Sequence, residues 1–506
     1  MSDLLVVPGM CAGESSWDML SVFERFFAFE DKKGLFSRDV CGVRFWHCMR
    51  FSLYSGIILP RLVPMGEAHP DSAARPQVKE KKKARFGLFR RFKNRLRFDP
   101  SLALMRRDVL VALAPRVTRL ADDCRLRLAV DFFLGRLRSS YAVLEFPMPG
   151  SGYAGHDGGG RIFRWGQAQS ALRAFKASAA FAALSGELNS VARGLADEIA
   201  AAFDVDVDRA WLVDKIASVV AMDRATIPLL RFWLKRLRVR CVVEVVHYSE
   251  KNLSLTRAAH DLGIPVVELQ HGTVYPAHAA YNLPVADSPY SPDYLLGWGD
   301  YWLRQTRNFP AKKSVAVGYP FLEEALARYP PKPHGGLPLV LFISQGTIGR
   351  SLSELAVELS RILEKECRIV FKPHPNEMKS WRMLYPALSG SSVEVADDAA
   401  RGIYSWLAEA NAAVGAYSTA MIEGFVWGVK TYVFRTLPGA DTMAPFCSSG
   451  AAEYVDSTED LAVRLRRQFA DESVGTASFH RTDFFADNAA ANVAAAIDRI
   501  VEGKEP

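Results

Sequence analysis

The sequence predicts an α/β protein built from two successive series of parallel βαβ units. Three observations predict it. Short apolar runs of strand length recur along the chain, separated by stretches of helical character. A proline- and glycine-rich segment, YPPKPHGGLP (Tyr329–Pro338), divides these runs into two groups. Polar and glycine-rich residues gather directly after the runs, where the carboxyl ends of parallel strands open to ligands.

In chain order, residues 1–70 read as short helices with aromatic-rich text, and residues 70–84 as a loop. DVLVALAP and YAVLEFP are the first strands, and a long helical region follows from about Gln169 to Phe203. CVVEVV (Cys241–Val246), a helix around Leu253–Leu262, PVVELQ (Pro265–Gln270), DYLLGWG and SVAVGYP complete the first series. The second series runs LVLFIS, a helix to about Leu363, RIVFK, a short SVEVA strand, a helix near Tyr404–Ala410, AAVGAY, a helix near Ala420–Trp427, and TYVF. FFADNAAANVAAAIDRIVEG closes the chain as an alanine-rich helix. The expected organisation is an N-terminal helical extension over 1–100, a first α/β domain over 101–330, a second over 337–480 and a C-terminal helix over 481–506.

Composition narrows the class. The 506 residues are 49% hydrophobic and 24% charged, which excludes a collagen-like, mucin-like or wholly disordered chain. No apolar run approaches the roughly 18–20 residues that cross a bilayer, and the start, MSDLLVVPGM, lacks the pattern of a secretory signal. Seven scattered cysteines with no CxxC point to reduced thiols in a cytoplasmic protein rather than to zinc or a redox pair. Charge is concentrated. Eleven basic residues and Glu80 give residues 75–98 a charge of +10, which leaves −3 on the rest of a chain whose total is +7. Phe86, Leu88, Phe89, Phe92, Leu96 and Phe98 are interleaved with these cations, as suits peripheral contact with an anionic membrane surface. A solvated linker with a short helix is the plainer reading of the same tract. No nucleic-acid-binding motif accompanies it.

The strand ends carry the candidate chemistry. LVLFIS runs into Gln345-Gly346-Thr347, followed by a helix that Ser351 and Glu354 are spaced to cap. A glycine loop before a helix N-terminus offers N–H groups to phosphate. RIVFK ends on Lys372 and enters Pro373-His374-Pro375, whose prolines restrict the backbone around an imidazole suited to a leaving phosphate. AAVGAY runs into Ser418-Thr419, both able to cap a helix or to meet phosphate oxygens. Glu423, four residues after Thr419, shares its helix face and is placed for ribose hydroxyls; the plain alternative is an N-cap and a surface glutamate. In the first series CVVEVV runs into His247-Tyr248-Ser249-Glu250, and PVVEL, which contains Glu268, into Gln270-His271-Gly272. His271 is the candidate base near neutral pH; Glu268 and Glu250 are the alternatives, with Gly272, His247 and Gln270 on the acceptor side. Gly150–Gly155 fits G-x-G-x-x-G but lacks the strand-turn-helix context. Asp204, Asp206 and Asp208 resemble the start of a calcium loop, but Arg209 stands at its glycine position and Lys215 at its twelfth, so they read as a helix entry capped by Asp208.

LQHGTVYPAHAAY, SPDYLLGWGDYW, VAVGYP, LFISQGT, FKPHP and GAYSTAMIEGFVWGVKTYVF together resemble GT-B glycosyltransferases of bacterial capsule and O-antigen (lipopolysaccharide) synthesis. The resemblance covers about residues 105–435. The KPHP and STxxxE pair is similar to motifs of bacterial sialyltransferases and Kdo transferases, and the His-Gly step to CDP-glycerol glycerophosphotransferases. It implies two facing Rossmann-like domains with a cleft between them and metal-independent transfer without a cofactor. It also implies a C-terminal helix that crosses back to the first domain. By resemblance, His374 and Ser418–Thr419 hold the donor phosphate, Glu423 the ribose, and His271 takes the base position. The sialyltransferase acidic motif is not recognisable in this chain.

The expected activity is therefore transfer of a sugar, Kdo- or sialic-acid-like, from a nucleotide-sugar to a surface polysaccharide or lipid-linked glycan. The competing readings are a CDP-polyol phosphotransferase, a nucleotide-sugar epimerase that needs no acceptor, and a catalytically silent membrane scaffold.

Overall fold

The computed structural model describes residues 18–63, 106–113, 118–119, 125–126, 130–146, 161–332, 336–398, 401–437, 439–470 and 481–506. The basic tract over 75–98 and the glycine motif at 150–155 lie outside the described residues.

Two all-parallel sheets organise the chain. The first contains β1 (Val109–Leu113), β2 (Tyr141–Glu145), β3 (Arg161–Arg164), β4 (Cys241–Val245), β5 (Val266–Leu269), β6 (Tyr294–Gly297) and β7 (Lys313–Ala316). Its spatial order is β7-β6-β5-β4-β1-β2-β3. The second contains β8 (Leu339–Ile343), β9 (Arg368–Lys372), β10 (Glu394–Val395), β11 (Ala412–Gly415), β12 (Lys430–Phe434) and β13 (Ala452–Val455), in the order β10-β9-β8-β11-β12-β13. Each half thus follows the doubly wound 3-2-1-4-5-6 order, with one further strand on the first sheet. Every residue of β4 and β8 is buried, as continuous apolar strands covered on both faces require.

The first sheet is covered on one side by helices Ile227–Leu237 and Glu250–His260, through Leu234, Leu237, Leu255 and Ala258. Its other side is covered by the last helix of the chain, Ala489–Val501, through Val493, Ile497 and Ile500. Asp498 fastens that helix: its carboxylate accepts the Ser139 N–H (3.0 Å) and hydroxyl (2.6 Å) and the Arg138 N–H (3.1 Å). The returning segment passes closely over Gly299 and Gly318, where a side chain would collide with the carbonyls of Phe484 and Ala486. Gly318 also has φ +92°, so glycine is required there twice over. Trp302 Nε1 donates to the Phe484 carbonyl (2.8 Å), and Tyr301 stacks on the Phe484 ring at 4.4 Å.

The two halves share an apolar seam. Phe321 meets Tyr404 edge-on at 5.4 Å, Tyr301 meets Phe446 at 5.3 Å, and Trp427 Nε1 donates to the Tyr329 carbonyl (2.7 Å).

The N-terminal helices are part of the first half rather than an appendage to it. Met19–Lys32 and the helical run from Trp46 to Leu62 share one core with helices Ser185–Phe203 and Arg209–Ala221. Sequence periodicity reads residues 169–203 as one helical region; the structure divides it into Gly166–Lys176, Ala179–Ala182 and Ser185–Phe203, with Ser178 capping the second piece. Asp208 caps the next helix by accepting the Ala210 N–H (2.8 Å), as its position predicts. The capping box expected from Ser351 and Glu354 does not form. The helix already begins at Gly349, and Glu354 pairs with Arg350 at 3.6 Å. Strand β3 was not legible, because RIFR lacks the apolar run that marks its neighbours.

Candidate active site

The site begins with two glutamates inside apolar strands. Glu244 on β4 and Glu268 on β5 are register partners in the parallel ladder, and both are fully buried. They are kept in different states. Both Glu244 oxygens face the Thr256 hydroxyl at 3.0 Å, and burial, followed by the neighbouring Glu268, raises its pKa well above the usual carboxylate range. Burial also raises that of Glu268, but His247 and then His271 outweigh it and draw it down to about 2. One carboxyl is held neutral and the other ionised, the separation that assigns different roles to paired acids.

Glu268 is the hub. One oxygen accepts the His247 backbone N–H (3.0 Å); the other accepts the Tyr281 hydroxyl (3.0 Å). The latter oxygen also faces Nδ1 of His247 at 3.4 Å and Nδ1 of His271 at 3.7 Å. The Tyr281 hydroxyl spends its hydrogen on Glu268, so the side it turns to His271 Nδ1 (3.4 Å) presents lone pairs. Nδ1 of His271 therefore faces two acceptors and carries the ring proton. Nε2 is left as the acceptor, and the Tyr248 hydroxyl reaches it at 3.1 Å.

Backbone geometry directs these groups. Val246 adopts φ +64°, a left-handed conformation that a β-branched residue occupies at a cost of about 1–3 kcal/mol. It turns the chain so that His247 folds back under the sheet end. Asn252 holds this turn by donating to the carbonyls of Val245 (2.6 Å) and Val246 (3.1 Å). Gln270 fixes the following turn: its amide donates to the Gly272 carbonyl (2.9 Å) and its oxygen accepts the Trp298 N–H (2.8 Å). The N-terminal helices grip the same loop from outside. Arg50, buried and paired with Glu30 at 2.6 Å, donates to the carbonyls of Ala279 and Asn282. Phe51 packs on Tyr248 at 4.3 Å and stacks on His278 at 5.6 Å. Burial lowers the His278 pKa to about 3, so that ring stays neutral.

The second sheet is arranged differently. At the end of β9, His374 is half-buried. Its backbone N–H is accepted by Glu377 (2.9 Å), which also accepts the Ser344 hydroxyl (3.2 Å) at the end of β8. His374 Nδ1 accepts the Asn376 N–H (3.3 Å), so its proton sits on Nε2, available to an anionic ligand. Pro375 is exposed beside it. In the loop after β8, Gln345, Gly346 and Thr347 are partly buried. The Gln345 side-chain oxygen has no hydrogen-bond partner among the described residues, and the Thr347 hydroxyl meets that of Tyr417. Ser418 caps helix Thr419–Glu423 through the Ala420 N–H (3.3 Å), and Thr419 is exposed.

Several candidates sit elsewhere than the sequence suggests. Glu250 lies at a helix start, close to half exposed, paired with Lys215 at 3.1 Å and outside the Glu268 network. Lys372 turns inward: Nζ donates to the Ala396 carbonyl (3.1 Å), and burial, opposed by Asp398 and Asp397, lowers its pKa. Glu423 does not share an open face with Thr419. Its carboxylate is buried, accepts the Tyr404 hydroxyl (2.8 Å), and has its pKa raised to about 7 by burial. Sequence reasoning missed Tyr281 and Glu377 as organisers. Glu377, three residues after His374, is within local reach and could have been found; Tyr281, ten residues after His271, carries no local signal. No group of three or more His, Cys, Asp or Glu among the described residues could hold a metal ion.

The two doubly wound parallel sheets, joined across an apolar seam and tied by a helix returning to the first, decide the architecture. The fold is GT-B. No protein-family model matches the chain, and no curated protein sequence does. Solved structures are similar to it at low identity. The UDP-GlcNAc 2-epimerase of Methanocaldococcus jannaschii matches at 11% identity and a TM-score of 0.43, over 79% of this chain and 99% of that one. The spinosyn rhamnosyltransferase SpnG matches at 12% and 0.40, over 79% and 96%. The wall teichoic acid polymerase TagF matches at 12% and 0.31, over 52% and 73%. Among the described residues no helix is long and apolar enough to cross a membrane.

Proposed function

We propose that the protein is a glycosyltransferase that moves a sugar from a nucleotide-sugar donor to a hydroxyl of a surface polysaccharide or lipid-linked glycan. The observation that carries this reading is the His271 imidazole backed by the buried, ionised Glu268, with Nε2 as the open acceptor. Such a pair removes a proton from an incoming hydroxyl. Glu268 is fully buried, so it acts on His271 and not on substrate. An acceptor hydroxyl would take the place of the Tyr248 hydroxyl on Nε2, lose its proton there, and attack the anomeric carbon of the donor. Nε2–H of His374, the Gln345–Thr347 loop and the Thr419 hydroxyl would receive the departing nucleotide phosphate, the charge that develops as the glycosidic bond breaks.

The tract over 75–98 supplies the second half of the proposal. Its cations, interleaved with phenylalanine and leucine, suit the anionic surface where a lipid-linked acceptor resides, on the cytoplasmic side of the membrane.

Incubation of the full chain with CMP-, CDP-, UDP- and GDP-linked donors and a glycan panel, with product analysis, tests the reading. Sugar transfer with release of the nucleotide is expected. Polyol phosphate transfer from a CDP-polyol, or conversion of a UDP-sugar without acceptor, would replace it with a different reaction; absence of nucleotide binding by calorimetry would remove it altogether. Binding to phosphatidylserine vesicles should fall with salt and disappear when residues 75–98 are deleted.

A further inference from the structure

Glu268 is flanked by two imidazoles, and only one is needed as a base. The other, His247, is fully buried and cannot meet a substrate. Its Nε2 faces the Ala280 carbonyl at 3.1 Å and must donate to it. Its Nδ1 is buried, has no hydrogen-bond partner among the described residues and faces the Glu268 carboxylate 3.4 Å away. In a neutral ring with Nε2 protonated, Nδ1 would present a lone pair to an ionised oxygen, two acceptors facing each other in a site shut off from water. A second proton on Nδ1 resolves the conflict and converts the contact into an ion pair. The ring is also fixed on its faces, by Phe309 at 4.6 Å and by Tyr281 and Tyr248 edge-on at 5.2 and 5.3 Å. The strained Val246 turn is what delivers it there.

We propose that His247 is a positioning residue: as an imidazolium it is the fixed counter-ion of Glu268, and through that carboxylate it holds His271 with Nδ1 protonated and Nε2 open to an acceptor hydroxyl. The inference rests on the reading of His271 as the base. It adds a charge to the balance of the site. His247 and Glu268 form a neutral pair before reaction, and the proton taken up by His271 is stabilised by a carboxylate already shared. The groups that face this cluster are Tyr248, Tyr281 and His278, with Glu244 neutral behind Glu268 and Arg50 beyond His278.

Nuclear magnetic resonance of the full chain labelled with ring-15N histidine tests this without any substrate. In the unaltered protein, His247 should show two protonated ring nitrogens, and His271 a protonated Nδ1 with a bare Nε2. A bare Nδ1 on His247 would overturn the proposal, and this reading needs no variant to fold. His247→Asn removes the cation and should move the His271 titration midpoint to higher pH. Glu268→Gln removes the anion and should move it lower, by about one unit or more. A residue that merely packs would move neither, and an unmoved midpoint in a folded His247→Asn protein counts against the ion pair. Tyr281→Phe is the conservative control, expected to leave His247 doubly protonated. Transfer activity of His271→Ala is measured separately: if it is retained, the base assignment fails while the spectra still decide the state of His247.

Discussion

The carboxyl ends of the two sheets, built on the same strand order, carry opposite kinds of site. On the first, Glu268, His247, Tyr281 and His271 form a closed network in which three of the four are buried, and an N-terminal helical layer grips the loop from outside. On the second, His374, Pro375 and Thr419 stand partly or fully open, with the His374 backbone N–H accepted by Glu377, which also accepts the Ser344 hydroxyl. The difference follows from the work proposed for each end. Proton removal needs one nitrogen held in one tautomer, which demands a dry, fully bonded surrounding. A nucleotide brings its own charge and shape, so its site needs donors that remain free until it arrives.

Four substitutions would break or sharpen this contrast, in order of expected effect. His271→Ala should lower kcat by about 10²–10⁴-fold in a single-turnover transfer assay, the span usual for a lost general base. Loss of only a few-fold would dissolve the distinction between the two ends. Arg50→Ala leaves Glu30 buried without its cation, and denaturant unfolding should show a loss of about 3–5 kcal/mol. If the first end is rigid because of this clamp, transfer by the surviving folded fraction should fall as well.

Glu423 tests the seam beneath the second end. Its carboxyl titrates near pH 7 when folded and near 4.5 when unfolded, so the folded state binds the proton more tightly. Its contribution is greatest below about pH 4.5 and is lost as pH rises to about 7, by about 3 kcal/mol across that window. Glu423→Gln should remove this component, seen as a shallower fall in unfolding free energy between the two pH values. A slope equal to that of the unaltered protein would mean that the carboxyl is not held neutral against Tyr404. His374→Ala should weaken donor binding by about 1.5–3 kcal/mol, the value of a hydrogen bond to a charged group, with little change in melting temperature. A large drop in stability instead would show that the open end is braced by His374 and is not free.

Much of the fold was legible because it rests on local pattern. CVVEVV, PVVEL, LVLFI and RIVFK are short apolar runs whose length and β-branched content mark them as strands, and their ends mark where ligands meet a parallel sheet. The candidate histidines were legible for the same reason. Glu268 and Glu244 were visible as acids within apolar text, but their roles were not. That one is neutral and the other ionised depends on Thr256, His247 and His271, which reach them only after β4 and β5 align. Glu250, Lys372 and Glu423 show the limit from the other side: a helix start, a strand end and a four-residue spacing from Thr419 put them near the site in sequence, and side-chain direction took them away from it.

The sequence by itself determined two parallel α/β halves, the position of their strand ends and the residue types placed there, because these depend on apolar run length and on turn chemistry along the chain. Only the tertiary structure decided which imidazole is open, which carboxylate is charged, and that the N-terminal helices and the returning C-terminal helix enclose the first half. Those properties are set by burial and by partners distant in sequence, such as Arg50 with Ala279 and Asp498 with Ser139, and burial is what makes a buried charge depend on its partner.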